Sequence, residues 1–510
     1  MGKLIPNQFN LLVVIAAALG STCCSYGMSV ISSTIGQPSF FVNMGLAAPG
    51  EPGYDHTAEL IGAFNGFNSA GSLLAALFTA WTCDKYGRLR SMQLGCITSI
   101  LGAALCGGSV DVAMFLVARF ISGWGVGMLI TCVPMYQAEV STPESRGFMV
   151  SMHGVMFALG YSLSAWIGFG CYFMSAAGNP SSFAWRFPLS FQAAPAIMLL
   201  AMSPWLPFSP RWLLAVGRPD EALIASREFY QMRKQLELDH QIRAVTDAGP
   251  FAIFKTKPNR RRAYVGFSLL FMNQFTGVLF LILCNIIANY GVLLYASLGM
   301  ADFMPLLLSA LWVTLSFSGN IFTAFFIDRI GRRLFLLVGL GGLTMTLILE
   351  CITQALYLDT GNKPGLSAAV FLIFLFIFFW STFIDASQYL YVAEIFPTHI
   401  RGQGVAISMV GLYLGAIVLL CAGPIALDEI TWRFFLVLIV PTALHWLNVF
   451  FLFPETKQRS LEDINAAFGE RVAVHYYGAT AEEEMQYATA IEGEGSGRED
   501  KGDVVRVEKV

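Results

Sequence analysis

Roughly twelve apolar stretches, each long enough to cross the roughly 30 Å core of a bilayer as a helix, constrain what this chain can fold into. Within lipid only helices and closed barrels satisfy every backbone polar group, and barrel strands would alternate apolar with polar residues instead of running continuously apolar. The composition agrees, because 55% of the 510 residues are hydrophobic and only 13% are charged. The sequence therefore predicts an all-α integral membrane protein.

We number the predicted spans 1 to 12 in chain order. They lie near residues 11–33, 58–82, 91–110, 112–138, 149–175, 187–207, 264–296, 303–327, 334–357, 367–393, 403–424 and 432–453. Span 1 is too long for a signal peptide and lacks the basic segment and small-residue cleavage site of one, so we retain it as a membrane helix.

The charges between the spans predict the orientation of the chain. Lys and Arg collect in alternate loops, at 85–90, across 211–262 and at 329–333, whereas the intervening loops carry mostly acidic residues. Loops on the cytoplasmic side of a membrane are enriched in Lys and Arg. We therefore expect both termini to be cytoplasmic.

Two charged segments recur about half the chain apart. Residues 84–88 read DKYGR and 328–332 read DRIGR, while 134–147 read PMYQAEVSTPESRG and 389–402 read YLYVAEIFPTHIRG. Six spans have therefore been duplicated, which is how alternating-access carriers are built, with the substrate at the midplane between two halves. We expect two pseudo-symmetric six-helix bundles at 1–210 and 263–465, a cytoplasmic helical linker at 211–262 and a disordered cytoplasmic tail at 466–510.

The repeated charges lie at one membrane face and predict a gate. A glycine in each motif permits a tight turn, and the carboxylates can accept hydrogen bonds from helix ends and arginines. Such an ionic latch must be weak enough for the carrier to leave the closed state. The alternative is that these charges only anchor the topology. The predicted cytoplasmic gate comprises Asp84, Gly87, Arg88, Glu139, Arg146, Asp328, Gly331, Arg332, Arg333, Glu394 and Arg401.

These motifs, with Arg119 and GWGVG at 123–127, FSPRWLL at 208–214 and PETKQRSLEDI at 454–464, resemble the sugar porter family of the major facilitator superfamily, particularly its fungal members. The match runs from span 1 to Ile464, although the family usually has Glu where Phe208 stands. The resemblance implies a major facilitator fold and hexose-type substrates. Most of these motifs are cytoplasmic, so they identify the transport machinery more than the substrate.

The family's sugar-contacting positions are less well matched. Its Gln on span 5 falls at Gly154, beside His153, and on span 11 Leu412 and Tyr413 replace Asn and Trp. Amide groups that bond vicinal hydroxyls and aromatic faces that stack on a sugar ring are what such a site needs. The predicted substrate-binding residues are His153, Asn273, Gln274, Ser316, Asn320, Trp380, Tyr389 and Tyr413.

Span 7 departs from the family pattern. Gly277 and Tyr290 are 13 positions apart (290−277), where the family places its Tyr seven after the Gly. The six surplus residues, FLILCN at 280–285, would add about 9 Å of helix and about 240° of rotation. Either the span bulges there or these residues are absent from the mature protein, which makes Asn289 and Tyr290 weaker candidates.

Proton coupling is not predicted at the family's usual position. Proton-driven members carry an Asp on span 1 that pairs with the span 4 Arg, but here Gly27 stands at that position, opposite Arg119. This favours facilitated diffusion over proton symport. Acidic residues within spans are costly and are functional-site candidates, so Asp385 on span 10 and Glu350 on span 9 are candidates for proton coupling, against the alternative of buried structural hydrogen bonds.

The sequence predicts a plasma-membrane carrier for a monosaccharide that works by alternating access. A disaccharide, a polyol or another small polar solute is the alternative substrate, and a non-transporting sugar sensor of the same fold is the alternative role. No nucleophile-base pair, metal cluster or phosphate loop with usable spacing predicts an enzyme, a metal or a cofactor. The expected partners are a sugar, the bilayer and, if Asp385 or Glu350 titrates, protons; no nucleic-acid partner is predicted and no oligomer is required. The ten cysteines lack a CxxC pair and are expected to be small core residues.

Overall fold

The computed structural model describes residues 8–35, 37–47, 52–141, 145–176, 182–216, 252–277, 304–357, 362–397, 400–457, 459 and 463–469. All regular structure within those ranges is helical. Most of the predicted linker, FLILCN at 280–285, Asn289, Tyr290 and nearly all of the predicted tail lie outside the described residues. The predicted domain boundaries therefore remain predictions.

Within the ranges that the structure describes, nine of the spans are single continuous helices. Their bounds are Gln8–Ile35 (span 1), Tyr54–Tyr86 (span 2), Arg88–Gly107 (span 3), Val112–Val140 (span 4), Arg146–Ala176 (span 5), Met304–Ile330 (span 8), Arg332–Tyr357 (span 9), Arg401–Ile430 (span 11) and Phe434–Leu452 (span 12). Short helices lie outside the spans at Pro38–Met44, Pro210–Ala215 and Asp463–Ala467.

The remaining three spans are interrupted or only partly described. Span 6 is broken at Gln192 into Phe183–Phe191 and Ala193–Met202. Span 7 begins as Lys257–Gln274 and continues outside the described residues. Span 10 consists of Lys363–Phe379, a π-helical segment Trp380–Asp385 and Ala386–Ile395. Within the described part of the chain, 11 helices are long and apolar enough to cross a membrane.

Capping side chains and a glycine turn mark several helix ends. Asp111 caps span 4, accepting a hydrogen bond from the Met114 amide at 2.6 Å, and Thr256 caps span 7 through the Asn259 amide at 3.3 Å. Gly331 has a φ of 110° between spans 8 and 9, a left-handed conformation that a side chain would strain. Short polar side chains and one glycine thus set where these apolar helices start and turn.

The two halves of the molecule pack against each other symmetrically. Span 5 of the first half lies along span 8 of the second, and span 2 lies along span 11, the equivalent pair six spans on. Within the first half spans 2, 3 and 4 pack tightly, and a Cβ added at Gly123 would lie 2.8 Å from the backbone carbonyl carbon of Asn68. Lipid gives no hydrophobic driving force for helix association, so membrane helices associate through close packing. Small residues at the interface allow this close approach.

Candidate functional site

The DKYGR turn between spans 2 and 3 holds a buried ion pair. Gly87 has a φ of 86°, and this left-handed conformation makes a tight turn, so that span 3 begins at Arg88 directly after span 2 ends at Tyr86. The Arg88 guanidinium then donates to Glu139 Oε1 on span 4 at 2.9 Å and to the Cys83 carbonyl at 3.0 Å. Asp84 Oδ1 is farther away, 3.9 Å from Arg88 Nη1. The motif therefore ties the cytoplasmic ends of spans 2, 3 and 4 together.

The DRIGR turn of the second half repeats this arrangement more tightly. Arg332 donates to both oxygens of Glu394 on span 10, at 2.9 and 3.2 Å, and its Nη1 lies 2.9 Å from Asp328 Oδ1. Both partners of the bidentate pair are almost fully buried, 1% exposed each. Planar bidentate pairing of this kind is the strongest geometry for an Arg and a carboxylate.

Hydrogen bonds cross from one half to the other at the same face. Arg401 on span 11 donates to Glu139 Oε1 at 3.0 Å, and the Phe148 amide at the start of span 5 donates to Asp328 Oδ2 at 2.8 Å. Arg401 and Glu139 are both fully buried. The cytoplasmic ends of the two halves are therefore joined, and most of the predicted gate residues meet there.

The two remaining arginines of the predicted gate, Arg146 and Arg333, donate to backbone carbonyls. Arg146 donates to the Ala138 carbonyl at 3.3 Å and to the Arg459 carbonyl at 3.2 Å, which links span 5 to the segment after span 12. Arg333 donates from Nη2 to the Phe450 carbonyl at 2.5 Å. Through these backbone contacts the two side chains hold neighbouring segments together.

The structure adds residues to this face to which the sequence reasoning gave no role. Ser209 donates to Glu139 Oε2 at 2.5 Å, and Thr456 donates to Glu394 Oε2 at 2.7 Å. Each hydroxyl lies two residues after a proline, and those prolines accept hydrogen bonds from the repeated tyrosines, Tyr136 at 2.7 Å and Tyr391 at 2.9 Å. The signal was present in the sequence as FSPRWLL and PETKQR, which occupy equivalent places after spans 6 and 12.

Two neighbouring amides lie at the end of the described helix of span 7. Asn273 donates to Gln388 Oε1 on span 10 at 2.9 Å, and Gln274 donates to the Leu270 carbonyl at 3.3 Å. Both side chains are buried, and neither amide oxygen has a hydrogen-bond partner within the described residues. Gln388, which the sequence analysis did not single out, therefore belongs with the predicted set.

His153 on span 5 contacts the same region from the first half. Its Nδ1 lies 2.7 Å from Ser21 Oγ on span 1, and its ring centroid lies 4.8 Å from that of Tyr389 on span 10. The second ring nitrogen, Nε2, has no partner in the part of the chain that the structure describes, although the side chain is fully buried. One predicted residue of each half is thus in direct contact.

Asp385 and Asn320 form a polar pair between spans 8 and 10. Asn320 donates to Asp385 Oδ2 at 2.9 Å and to the Ser316 carbonyl at 3.1 Å, while its own Oδ1 has no described partner. The Tyr389 phenol lies close enough to Asp385 and to Tyr413 on span 11 to interact electrostatically with both. Most of the predicted substrate-binding residues therefore share one buried region; Trp380 and Ser316 are buried nearby without a described side-chain hydrogen bond.

The candidate positions for proton coupling differ in their surroundings. Arg119 is fully buried and donates to the Gly27 carbonyl at 3.1 Å, and no described carboxylate forms an ion pair with it. A Cβ at Gly27 would lie 2.6 Å from Nε2 of Gln192, so this glutamine fills the space of a span 1 acid. Glu350 accepts from Gln354 of its own span at 2.8 Å.

Comparisons with known proteins agree with this architecture. The family described as Sugar (and other) transporter matches residues 13–468. The MFS-type transporter criB of Aspergillus cristatus is 29% identical over 474 residues, which are 90% of this chain and 94% of the relative. The Sugar transporter STL1 of Saccharomyces cerevisiae is 27% identical over 523 residues, covering 96% of this chain and 88% of that protein.

A solved structure supports the fold. The major facilitator superfamily proton:xylose symporter XylE, bound to 6-bromo-6-deoxy-D-glucose, superposes with a TM-score of 0.75 at 20% sequence identity and covers 91% of this chain and 100% of that one. The duplicated spans, the joined cytoplasmic turns and the family match over most of the chain lead to one assignment. The chain belongs to the Sugar (and other) transporter family and is a multi-pass membrane carrier with the major facilitator fold.

Proposed function

We propose that this carrier moves a hexose-like monosaccharide across the plasma membrane by alternating access, with both termini in the cytoplasm. The relatives named as a sugar transporter and a xylose symporter support a sugar as the substrate class. The Lys and Arg residues collected at 85–90 and 329–333 support the orientation.

One observation carries the substrate class. Among the predicted substrate-binding residues, five buried polar atoms from four spans lack a hydrogen-bond partner within the described residues. They are Nε2 of His153, the amide oxygens of Asn273, Gln274 and Asn320, and the hydroxyl of Tyr413. Buried polar groups in native proteins are nearly always satisfied, so unpartnered atoms grouped in one region call for water or a ligand. Amide oxygens accept hydrogen bonds from hydroxyl groups, and the Tyr389 ring offers an apolar face.

The cytoplasmic contacts supply the gate of the proposed cycle. In the closed state Arg401 and Glu139 join the halves, as do the Phe148 amide and Asp328. For the substrate to reach the cytoplasm these contacts must break while each half keeps its own pairs, Arg88 with Glu139 and Arg332 with Glu394. Rocking of the two halves about a midplane site is the motion that such a repeat supports.

The altered span 5 favours a second candidate class, a polyol or other small polar solute. A Cβ at Gly154 would lie 2.6 Å from Asn320 Oδ1 and 2.9 Å from the Ala386 Cα, so a glutamine at this position would not fit without movement. The site therefore lacks the span 5 glutamine amide with which the family binds a sugar ring. A smaller or more flexible polyhydroxyl compound needs fewer fixed contacts.

Uptake by the purified full-length protein in proteoliposomes tests the proposal. We expect one radiolabelled hexose or pentose to equilibrate across the vesicle membrane faster than in protein-free vesicles, and a panel of disaccharides and polyols distinguishes the second candidate. No uptake of any compound by correctly inserted protein would contradict the proposal and favour a sensor.

A matched pair of variants tests the site. Gln274→Ala removes an unpartnered amide, and we expect KM for the transported sugar to rise about tenfold, because a hydrogen bond is worth about 0.5–1.5 kcal/mol. Gln93→Ala is the control, since Gln93 bonds Ser203 Oγ between spans 3 and 6 at 2.8 Å, away from these residues. Equal KM values for the two variants would contradict the assignment of Gln274.

A further inference from the structure

Asp385 occupies an unusual place in span 10. It is the last residue of the π-helical segment Trp380–Asp385, and its side chain is 5% exposed. π-Helical turns are rare and occur frequently at functional sites. The carboxylate Oδ2 is held by Asn320 of span 8 at 2.9 Å, so its position is fixed across two spans.

No described cation neutralises Asp385. On span 8 it faces the neutral amide of Asn320, and the charged group nearest along that span, Asp328, is paired with Arg332. On span 9 Gly339 packs against Ile384, and the acid of that span, Glu350, is bonded to Gln354.

The other elements around Asp385 present groups that are neutral or only weakly basic. The phenols of Tyr161 on span 5 and Tyr389 on span 10 lie close enough to Asp385 to interact with it electrostatically. Tyr413 of span 11 and Cys24 of span 1 lie within the same range of Tyr389. His153 reaches this group through its contact with Tyr389. A buried carboxylate without a cation is costly in a membrane protein, and binding a proton removes that cost.

The Asp385–Asn320 pair also lies where the two halves meet. Gly154 of span 5 faces both Asn320 Oδ1 and Ala386, the residue after Asp385, with no side chain between them. His153, the neighbour of Gly154, contacts Tyr389 one turn further along span 10. A change in the charge of Asp385 therefore acts directly on the contact between spans 5, 8 and 10, which alternating access must rearrange.

We propose that Asp385, positioned by Asn320, is a proton-binding site that couples transport to a proton gradient, in place of the span 1 acid that Gly27 and Gln192 exclude. The inference rests on the proposed carrier function and revises the facilitator that the absence of a span 1 acid favours. In each cycle the carboxylate binds one proton from the outer side, which makes the closed contact between the halves neutral, and releases it to the cytoplasm with the sugar.

The first test needs no substrate. Infrared difference spectra of the reconstituted full-length protein, recorded between acidic and alkaline buffer, should contain the band of a protonated carboxyl group. We expect Asp385→Asn to remove that band and Asp385→Glu to shift it without removing it. A band that persists in Asp385→Asn, or that disappears in Glu350→Gln instead, would overturn the assignment.

The second test measures coupling with radiolabelled D-glucose, D-xylose and glycerol as probes in the same vesicles. An inward proton gradient should make the wild type accumulate the transported probe, whereas Asp385→Asn should only equilibrate it and Asp385→Glu should restore part of the accumulation. Accumulation by Asp385→Asn equal to that of the wild type would overturn the proposal. If the wild type transports none of the probes, the proposed function fails for these solutes, while the infrared result still decides whether Asp385 binds a proton.

Discussion

The two cytoplasmic turns of this carrier share one geometry but are closed by different chemistry. In the second half Glu455 accepts hydrogen bonds from the amides of Arg332 at 3.0 Å and Arg333 at 3.1 Å, at the start of span 9. In the first half Phe208 stands at the equivalent place, stacked on Trp212 with ring centroids 5.5 Å apart. Trp212 in turn donates to the Asp84 carbonyl at 3.1 Å.

The two turns share their buried polar groups and differ in the residue that covers the start of the following helix. The repeated arginines, the central glutamates and the hydroxyls of Ser209 and Thr456 occupy matching positions in both halves. The group that covers the start of the following helix differs between the halves. A carboxylate satisfies the free amides of span 9 and complements its helix dipole. A pair of aromatic rings covers the start of span 3. The start of span 3 is therefore covered by aromatic packing, and the start of span 9 is capped by a charge.

We expect the largest difference between the halves when the two central glutamates, Glu139 and Glu394, are replaced in turn. Glu139 accepts from Arg88 and, across the halves, from Arg401, whereas Glu394 accepts from Arg332 and Thr456 of its own half. Removing one partner of a buried ion pair costs about 3–5 kcal/mol. We expect Glu139→Gln to open the cytoplasmic side, while Glu394→Gln loosens one half without separating the two.

Pulsed electron paramagnetic resonance measures this opening. Spin labels on Lys85→Cys and Arg329→Cys report the separation of the halves, because both side chains are exposed at the ends of spans 2 and 8. Glu139→Gln should lengthen the main distance, and Glu394→Gln should leave it near the wild-type value. The same lengthening in both variants would show that Arg401 does not distinguish the glutamates.

A smaller effect is expected from Glu455. This carboxylate also accepts from the Thr456 and Lys457 amides at 2.9 and 3.0 Å, so Glu455→Gln replaces a charged acceptor of four amides with a neutral one. Hydrogen bonds to charged groups contribute about 1.5–3 kcal/mol. We expect the thermal unfolding midpoint of the detergent-solubilised protein to fall by several degrees. An unchanged midpoint would mean that the charge of Glu455 does not stabilise the start of span 9.

The smallest effect should come from converting the first turn into the second. Phe208→Glu loses the stacking on Trp212, worth about 0.5–1.5 kcal/mol, and gains about 0.3–1 kcal/mol from a carboxylate at the start of span 3. The net change should stay within about 1 kcal/mol. Phe208→Ala, which loses the stacking and gains nothing, is the control and should unfold at a lower temperature. Equal midpoints for the two variants would show that the start of span 3 does not accept a carboxylate cap.

Much of the fold follows from the sequence because it depends on local composition. The ends of span 4 were predicted at 112–138 and lie at Val112–Val140, since Asp111 and the apolar run define them. The break of span 6 at Gln192 and the π-helical segment of span 10 were not predicted. Hydropathy reports the length of an apolar run, whereas these irregularities depend on what packs against the run, as Gln192 does against Gly27.

The candidate site follows from the sequence only in part. The repeat indicated which charges matter, but the pairing of Glu139 with Arg401 joins residues 262 positions apart and depends on how the halves pack. Likewise the family pattern indicated Ser316 and Tyr389, and Asn320 lies one turn beyond Ser316, whereas Gln388 became apparent only through its hydrogen bond with Asn273. The roles of the substrate, proton and gate residues remain predictions for experiment.

Counterflow tests the central claim, that this chain is a sugar carrier with its site between the halves, most directly. Vesicles containing the purified protein are loaded with an unlabelled sugar, and entry of the same labelled sugar is followed after dilution. We predict a transient overshoot of label for at least one monosaccharide, which Gln274→Ala diminishes and Gln93→Ala does not. The absence of an overshoot with every monosaccharide, disaccharide and polyol of the panel would contradict the account.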